Sequence, residues 1–172
     1  MKQLILGGVR SGKSALAEQL CRDSEKQVIY VATATAGDDE MTRRIARHRA
    51  DRPGQWPTIE EPIALAQALT RYNDEKYCLM VDCLTLWLTN NLLAEVDCWQ
   101  QQKQALLALL QDFKGDIIFV SNEVGLGIVP LGELSRRFSD EAGWLHQALA
   151  KQCHRVIFVV AGLPQVFKGE AL

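Results

Sequence analysis

Five short runs of apolar, largely β-branched residues recur along the chain, at 4–6, 28–32, 78–82, 117–121 and 156–161. Each is nearly continuous rather than alternating, the pattern of parallel strands covered on both faces. Between them the apolar positions change to helical spacing, over 14–22, 40–50, 62–72, 99–113 and 134–152. Pro62 stands where a first helical turn accepts proline. A short edge strand is expected at 165–168. Strand alternating with helix predicts an α/β fold, a mostly parallel sheet sandwiched between helices. A chain of 172 residues fits one domain, 1–172, whose single core buries roughly 70% of the unfolded surface. Irregular stretches are expected at 36–38, 51–58 and 122–132. Each follows a strand or helix, and in open α/β sheets ligands bind beyond the carboxyl ends of the strands.

The sharpest local signal is Gly7-Gly8-Val9-Arg10-Ser11-Gly12-Lys13-Ser14, which fits G-x-x-x-x-G-K-[ST]. It has the required setting, an apolar strand before it and a helical pattern after it. Glycines let backbone N–H groups turn inward on a phosphate, and the helix N-terminus adds positive partial charge. Lys13 is placed to reach the β- and γ-phosphates, and the Ser14 hydroxyl to coordinate Mg²⁺. The acidic partner for the metal should end a neighbouring strand, and Asp82 ends the run 78–82. The competing role for Asp82 is to cap the helix that follows. The Asn-Lys-x-Asp tetrad by which regulatory GTPases read guanine is not in the sequence.

A second cluster lies in Asp39-Glu40-Met41-Thr42-Arg43-Arg44-Ile45-Ala46-Arg47-His48-Arg49, where helical spacing aligns Arg44, His48 and Arg52. Acidic residues lead and basic residues trail, which suits the helix dipole. That pattern serves a solvated amphipathic surface equally well. Its chemical reading is nucleophilic: a neutral imidazole can attack phosphorus, and flanking guanidiniums stabilise the charge that develops. The same guanidiniums disfavour a protonated imidazole, so the reactive form is available near neutral pH. His146 and His154 lack any metal-ligand spacing and are expected to be surface or partly buried polar groups. Glu123, after the fourth strand run, can orient a nucleophile or simply stabilise a turn.

Composition narrows the field by exclusion. With 48% hydrophobic and 23% charged residues the chain is an ordinary globular sequence. A net charge of -2 argues against a general nucleic-acid binder. Cys21, Cys78, Cys83, Cys98 and Cys153 form no C-x-x-C pair, and an odd count suits reduced structural thiols. No run approaches the ~20 apolar residues of a membrane span, and the first strand begins without a leader-like segment. A cytoplasmic enzyme is expected.

Taken together, these residues resemble the bifunctional adenosylcobinamide kinase / adenosylcobinamide-phosphate guanylyltransferase family of cobalamin synthesis. The resemblance runs over essentially the whole chain. It is carried by the glycine-rich loop, by Tyr30-Val31-Ala32-Thr33-Ala34, and by Asp39-Glu40-Met41 through Arg44-Ile45 to His48-Arg49. Arg52-Pro53 with Trp56, Thr58 and Glu60, then Val81-Asp82-Cys83-Leu84-Thr85-Leu86-Trp87, extend it. Ser121-Asn122-Glu123-Val124-Gly125-Leu126-Gly127-Ile128-Val129-Pro130 completes it. Val9 stands where alanine is more usual, and Asn90-Asn91 departs from the family pattern by one residue.

The resemblance implies a P-loop NTPase sandwich of recombinase type and a homotrimer with active sites near subunit contacts. It implies two reactions at one site. ATP or GTP phosphorylates the aminopropanol hydroxyl of the corrinoid, with Lys13 and Mg²⁺ on Ser14 and Asp82. GTP then guanylylates His48, which passes GMP to the corrinoid phosphate. Ala32, Thr33, Ala34, Arg49, Ala50, Asp51, Arg52 and Glu60 would line the nucleotide, with Glu60 on guanine. Trp56, Trp87, Trp99 and Trp144 are expected in the core or at subunit contacts rather than stacked on the corrinoid. Two other readings fit parts of the pattern: a small-molecule kinase without covalent nucleotide, and an ATP-dependent regulatory module.

Overall fold

The computed structural model describes residues 1–34, 56–94 and 98–172. Its seven-stranded sheet is built from β1 (Lys2–Gly7), β2 (Gln27–Ala32), β3 (Thr58–Glu60), β4 (Tyr77–Asp82), β5 (Asp116–Asn122), β6 (Arg155–Val160) and β7 (Leu163–Lys168). The spatial order is β3-β2-β4-β5-β1-β6-β7. All pairs are parallel except β6 with β7, which turns back on itself as an antiparallel edge. The described helices are α1 (Lys13–Asp23), α2 (Leu65–Thr70), α3 (Leu84–Leu93), α4 (Cys98–Gln111) and α5 (Glu133–Gln152).

The period-2 geometry of strands divides the core into two layers. Ile5, Val28, Tyr30, Cys78, Met80, Ile118, Val120, Ile157 and Val159 face Ala17 and Cys21 of α1. Leu4, Ile29, Val31, Leu79, Val81, Ile117 and Phe119 face α2, α3, α4 and α5 on the other side. Both faces of the central strands are therefore apolar, which is why their sequences run unbroken. The three-layer, mostly parallel α/β sandwich expected above is present.

Four elements differ from expectation. β3 falls partly within the stretch expected to be irregular, and its three residues are mostly exposed at the sheet edge. α2 begins at Leu65 rather than at Pro62, because the Glu61 carboxylate accepts the N–H groups of Ile63 (3.0 Å) and Ala64 (2.7 Å) and closes the turn first. α3, the helix that follows Asp82, had no range among the expected helices. It runs without a break through Asn90 and Asn91, whose amides bond to the Thr33 and Trp87 carbonyls, each at 2.8 Å. The edge strand expected at 165–168 is longer, as β7.

Trp87 and Trp99 sit in the helical core, edge to face at 5.2 Å, while Trp144 is exposed on α5. The buried Glu141 of α5 ties α4 in place. It accepts from Trp99 Nε1 at 2.6 Å, Gln100 Nε2 at 3.1 Å and Lys103 Nζ at 3.0 Å. Substituting Glu141→Leu strands the indole N–H and the ammonium together. Urea unfolding is expected to register a loss of about 3 kcal/mol, the low end for breaking a buried ion pair.

Candidate nucleotide site

The glycine-rich loop connects β1 to α1 and bends through conformations that side chains resist. A Cβ on Gly7 would collide with the Val159 carbonyl oxygen of β6. Gly12 has φ 99°, and a Cβ there would lie 3.2 Å from Gly162 Cα. The loop is further tied down by Gly162 N–H on the Ser11 carbonyl at 2.8 Å. Lys13, the first residue of α1, folds back so that Nζ donates to the Gly8 carbonyl at 2.6 Å. Its ammonium is buried, which lowers its pKa below the usual lysine value, while the Asp82 charge opposes the shift. Ser11 Oγ is buried without a hydrogen-bond partner. A loop with an orphaned hydroxyl, a buried cation and a helix N-terminus is fitted to a phosphate chain.

Asp82 ends β4, and β5 lies between β4 and β1. Its Oδ2 accepts from Tyr30 Oη at 3.0 Å. The residue that caps α3 is Cys83, with no side-chain capping bond, so helix capping is not the work of Asp82. Ser14, in the first turn of α1, and Asp82 offer a hydroxyl and a carboxylate. That hard oxygen set suits Mg²⁺, which takes one or two protein ligands beside phosphate oxygens. Among the described residues no cluster of three His, Cys, Asp or Glu side chains is placed to hold a metal.

The carboxyl edge of the sheet also carries Ala32, the last residue of β2, with Thr33 and Ala34 beyond it. Thr33 is fully buried, with Oγ1 accepting from Cys83 N–H at 2.9 Å and donating to the Cys83 carbonyl at 2.7 Å. Ala32 stands in register between Asp82 of β4 and Glu60 of β3. Four strand spacings of about 4.8 Å put Glu60 roughly 19 Å from the phosphate-loop strand. The loop and Glu60 thus lie four strands apart along one edge, with Asp82 between them. His48, Arg44, Arg49, Ala50, Asp51 and Arg52 lie outside the described residues.

Tyr30 and His146 were not singled out from the sequence for this edge. His146 is buried in α5, with Nε2 2.9 Å from Ser121 Oγ and Nδ1 3.9 Å from Glu123 Oε2. Burial pushes its pKa below the ordinary histidine value, and Glu123 opposes the shift. The unfolded chain consequently takes up this proton at higher pH than the folded one, so stability falls as pH drops below about 6.5. Thermal midpoints measured from about pH 7.5 to about pH 5.5 are expected to decline, with a shallower slope in His146→Gln.

Comparison with known proteins joins this geometry to a family. The family described as cobinamide kinase / cobinamide phosphate guanyltransferase matches residues 3–167. The bifunctional adenosylcobalamin biosynthesis protein CobP of Pseudomonas aeruginosa is 60% identical over 173 residues, covering 100% of both chains. The bifunctional adenosylcobalamin biosynthesis protein CobU of Escherichia coli is 38% identical over 177 residues, covering 95% of this chain and 97% of its own. Among solved structures, an ATPase from the type III secretion system of pathogenic bacteria superposes with a TM-score of 0.54 at 14% identity. That match covers 96% of this chain and 56% of the ATPase, and it bears on the fold alone.

Proposed function

The chain belongs to the cobinamide kinase / cobinamide phosphate guanyltransferase family and is a bifunctional enzyme of adenosylcobalamin biosynthesis, and from that premise we propose that both transfers run along the carboxyl edge of its sheet. The observation that carries this reading is the buried Lys13 ammonium within the glycine-rich loop, whose charge the Asp82 carboxylate favours. Residues 1–172 act as one kinase/guanylyltransferase domain in this reading.

In the kinase transfer, the backbone N–H groups of Gly7, Gly8, Val9, Arg10, Ser11 and Gly12 hold the phosphates of ATP or GTP. Lys13 Nζ exchanges the Gly8 carbonyl for phosphate oxygens. The acceptor hydroxyl oxygen bonds to the γ-phosphorus as the bond to the bridging oxygen breaks, leaving the nucleoside diphosphate. Ser14 and Asp82 would hold Mg²⁺, which when bound supplies neutralising charge on the phosphate oxygens. Tyr30 fixes the Asp82 carboxylate for that task.

In the guanylyl transfer, a His48 ring nitrogen bonds to the α-phosphorus of GTP and pyrophosphate departs. A phosphate oxygen of the corrinoid phosphate then displaces the imidazole, forming adenosylcobinamide-GDP and regenerating His48. The covalent step keeps GMP activated while pyrophosphate leaves and the acceptor binds. Arg49, Ala50, Asp51 and Arg52 line the nucleotide in this proposal, with Ala32, Thr33, Ala34 and Glu60. Glu60 accepts from guanine N1 and N2 at the end of the edge remote from the phosphate loop.

The enzyme is read as a cytoplasmic homotrimer. Leu126, Ile128, Val129 and Leu131 are exposed apolar side chains in the loop after β5, which supports a subunit contact there. A solution mass of one subunit would count against the trimer. The activity itself is tested by incubating the protein with adenosylcobinamide, Mg²⁺ and either ATP or GTP, and separating the corrinoids chromatographically. ATP alone is expected to give adenosylcobinamide phosphate, and added GTP to give adenosylcobinamide-GDP with pyrophosphate. A folded, nucleotide-binding protein that yields neither product would sink the reading.

A further inference from the structure

A connected set of polar groups runs from the interior of α5 to the carboxyl end of β5. His146 Nε2 meets Ser121 Oγ at 2.9 Å, and Ser121 Oγ lies 3.4 Å from Thr85 Oγ1. Thr85 Oγ1 accepts the Asn122 N–H at 2.8 Å. The next residue, Glu123, donates its own N–H to the Gly7 carbonyl at 3.0 Å, which fastens it to the start of the phosphate loop. One carboxylate oxygen of Glu123 accepts from the Gly125 N–H, and the other faces His146 Nδ1 at 3.9 Å. The side chain of Glu123 keeps 22% of its surface exposed, whereas that of His146 keeps 9%.

Topology gives this pair its meaning. Glu123 follows β5, the strand between the phosphate-loop strand β1 and the Asp82 strand β4. A carboxylate there, partly open to solvent and anchored through its backbone to Gly7, follows the strand that lies between the phosphate-loop strand and the Asp82 strand. The two transfers differ in what their acceptors need. The kinase acceptor is an alcohol, which must lose a proton as its oxygen attacks. The guanylyl acceptors are a neutral imidazole and then an ionised phosphate, and neither carries a proton on the atom that attacks.

We propose that Glu123 takes the acceptor hydroxyl's proton in the kinase transfer, and that His146 is the positioning residue that aims the Glu123 carboxylate. The step balances without a further reactant: the oxygen–phosphorus bond forms, the bridging bond breaks, and the hydroxyl proton passes to Glu123. At 3.9 Å the His146 contact is a packing contact, longer than a direct hydrogen bond. Burial disfavours the charged imidazole, so the ring limits where the carboxylate swings rather than pairing off its charge. Ser121 and Thr85 hold the ring in turn. The inference rests on the kinase half of the proposed function and adds to it a proton acceptor and its support.

The experiment measures both transfers separately in the full-length protein: ATP to adenosylcobinamide, and GTP to adenosylcobinamide phosphate. Glu123→Gln is expected to lower kcat of the kinase transfer about 100-fold, with KM for ATP changed less than about twofold and guanylyl transfer reduced less than about threefold. His146→Leu is expected to lower kinase kcat about tenfold, and the polar His146→Gln to recover most of it. In the Glu123→Gln background His146→Leu should add nothing, because its effect passes through the missing carboxylate. Equal losses in both transfers, or effects that multiply in the double variant, would overturn the proposal alone. Absence of kinase turnover in the unsubstituted protein would instead overturn the kinase reading on which it stands.

Discussion

With GTP labelled at its α-phosphate and Mg²⁺ present, label is expected to stay on the polypeptide through denaturing electrophoresis and to vanish in His48→Ala. A nitrogen–phosphorus bond to imidazole is a phosphoramidate, so acid should release the label and alkali should not. The same substitution should depress guanylyl transfer by a factor on the order of 10³ or more, since no other group supplies the nucleophile. The kinase transfer should survive it, because the hydroxyl attack on the γ-phosphorus needs no covalent nucleotide. In the proposed mechanism Arg44 and Arg52, each four residues from His48 in the sequence, would counter charge on the α-phosphoryl. Absence of label from a folded protein that binds GTP would leave a small-molecule kinase as the better description.

How much of this was legible in the sequence depends on whether each signal is local. The glycine-rich loop is a contiguous stretch, so its eight-residue pattern was enough to place it between a strand and a helix. β1, β2, β4, β5 and β6 were equally plain, because strands covered on both faces must be apolar at consecutive positions. β3 has one half-buried residue between two exposed ones and reads as loop. The sequence of α3, LTLWLTNNLL, is apolar on most sides, since the helix lies within the helical layer. Without a polar face it has no stripe to count.

The site shows the same division. Asp82 was singled out because it ends an apolar run, but its hydrogen-bond partner Tyr30 comes from another strand, 52 residues away. Only the register that sets Ala32 beside Asp82 unites them. His146 did carry a signal that went unused. Ala142, Leu145 and Leu149 form the buried face of α5, and His146 falls on that face by helical spacing. A histidine in an apolar stripe must find a polar partner inside, and here it found Ser121. For His48 the sequence pattern carries the argument, since that residue lies outside the described part of the structure.

Replacing Lys13 with methionine is expected to separate stability from activity. The lowered pKa means that the fold disfavours the charged ammonium relative to solvent, with burial the larger influence and the Asp82 charge a partial offset. A methionine keeps most of the apolar stem and removes the desolvated charge, so the thermal midpoint at neutral pH should hold or rise. Both transfers should nevertheless fall, the kinase transfer by about 10²- to 10³-fold, the usual effect of deleting one preorganised donor to transition-state charge. Guanylyl transfer should fall as well, because the same loop holds the phosphates of GTP while the α-phosphorus is attacked. The contrast with His48→Ala, which should spare the kinase, tests whether one nucleotide site serves both reactions. A variant that loses stability while retaining both transfers would mean that Lys13 is buried for the sake of the fold. The stability–activity opposition expected instead would mark the ammonium as strain held in the folded protein for its ligand.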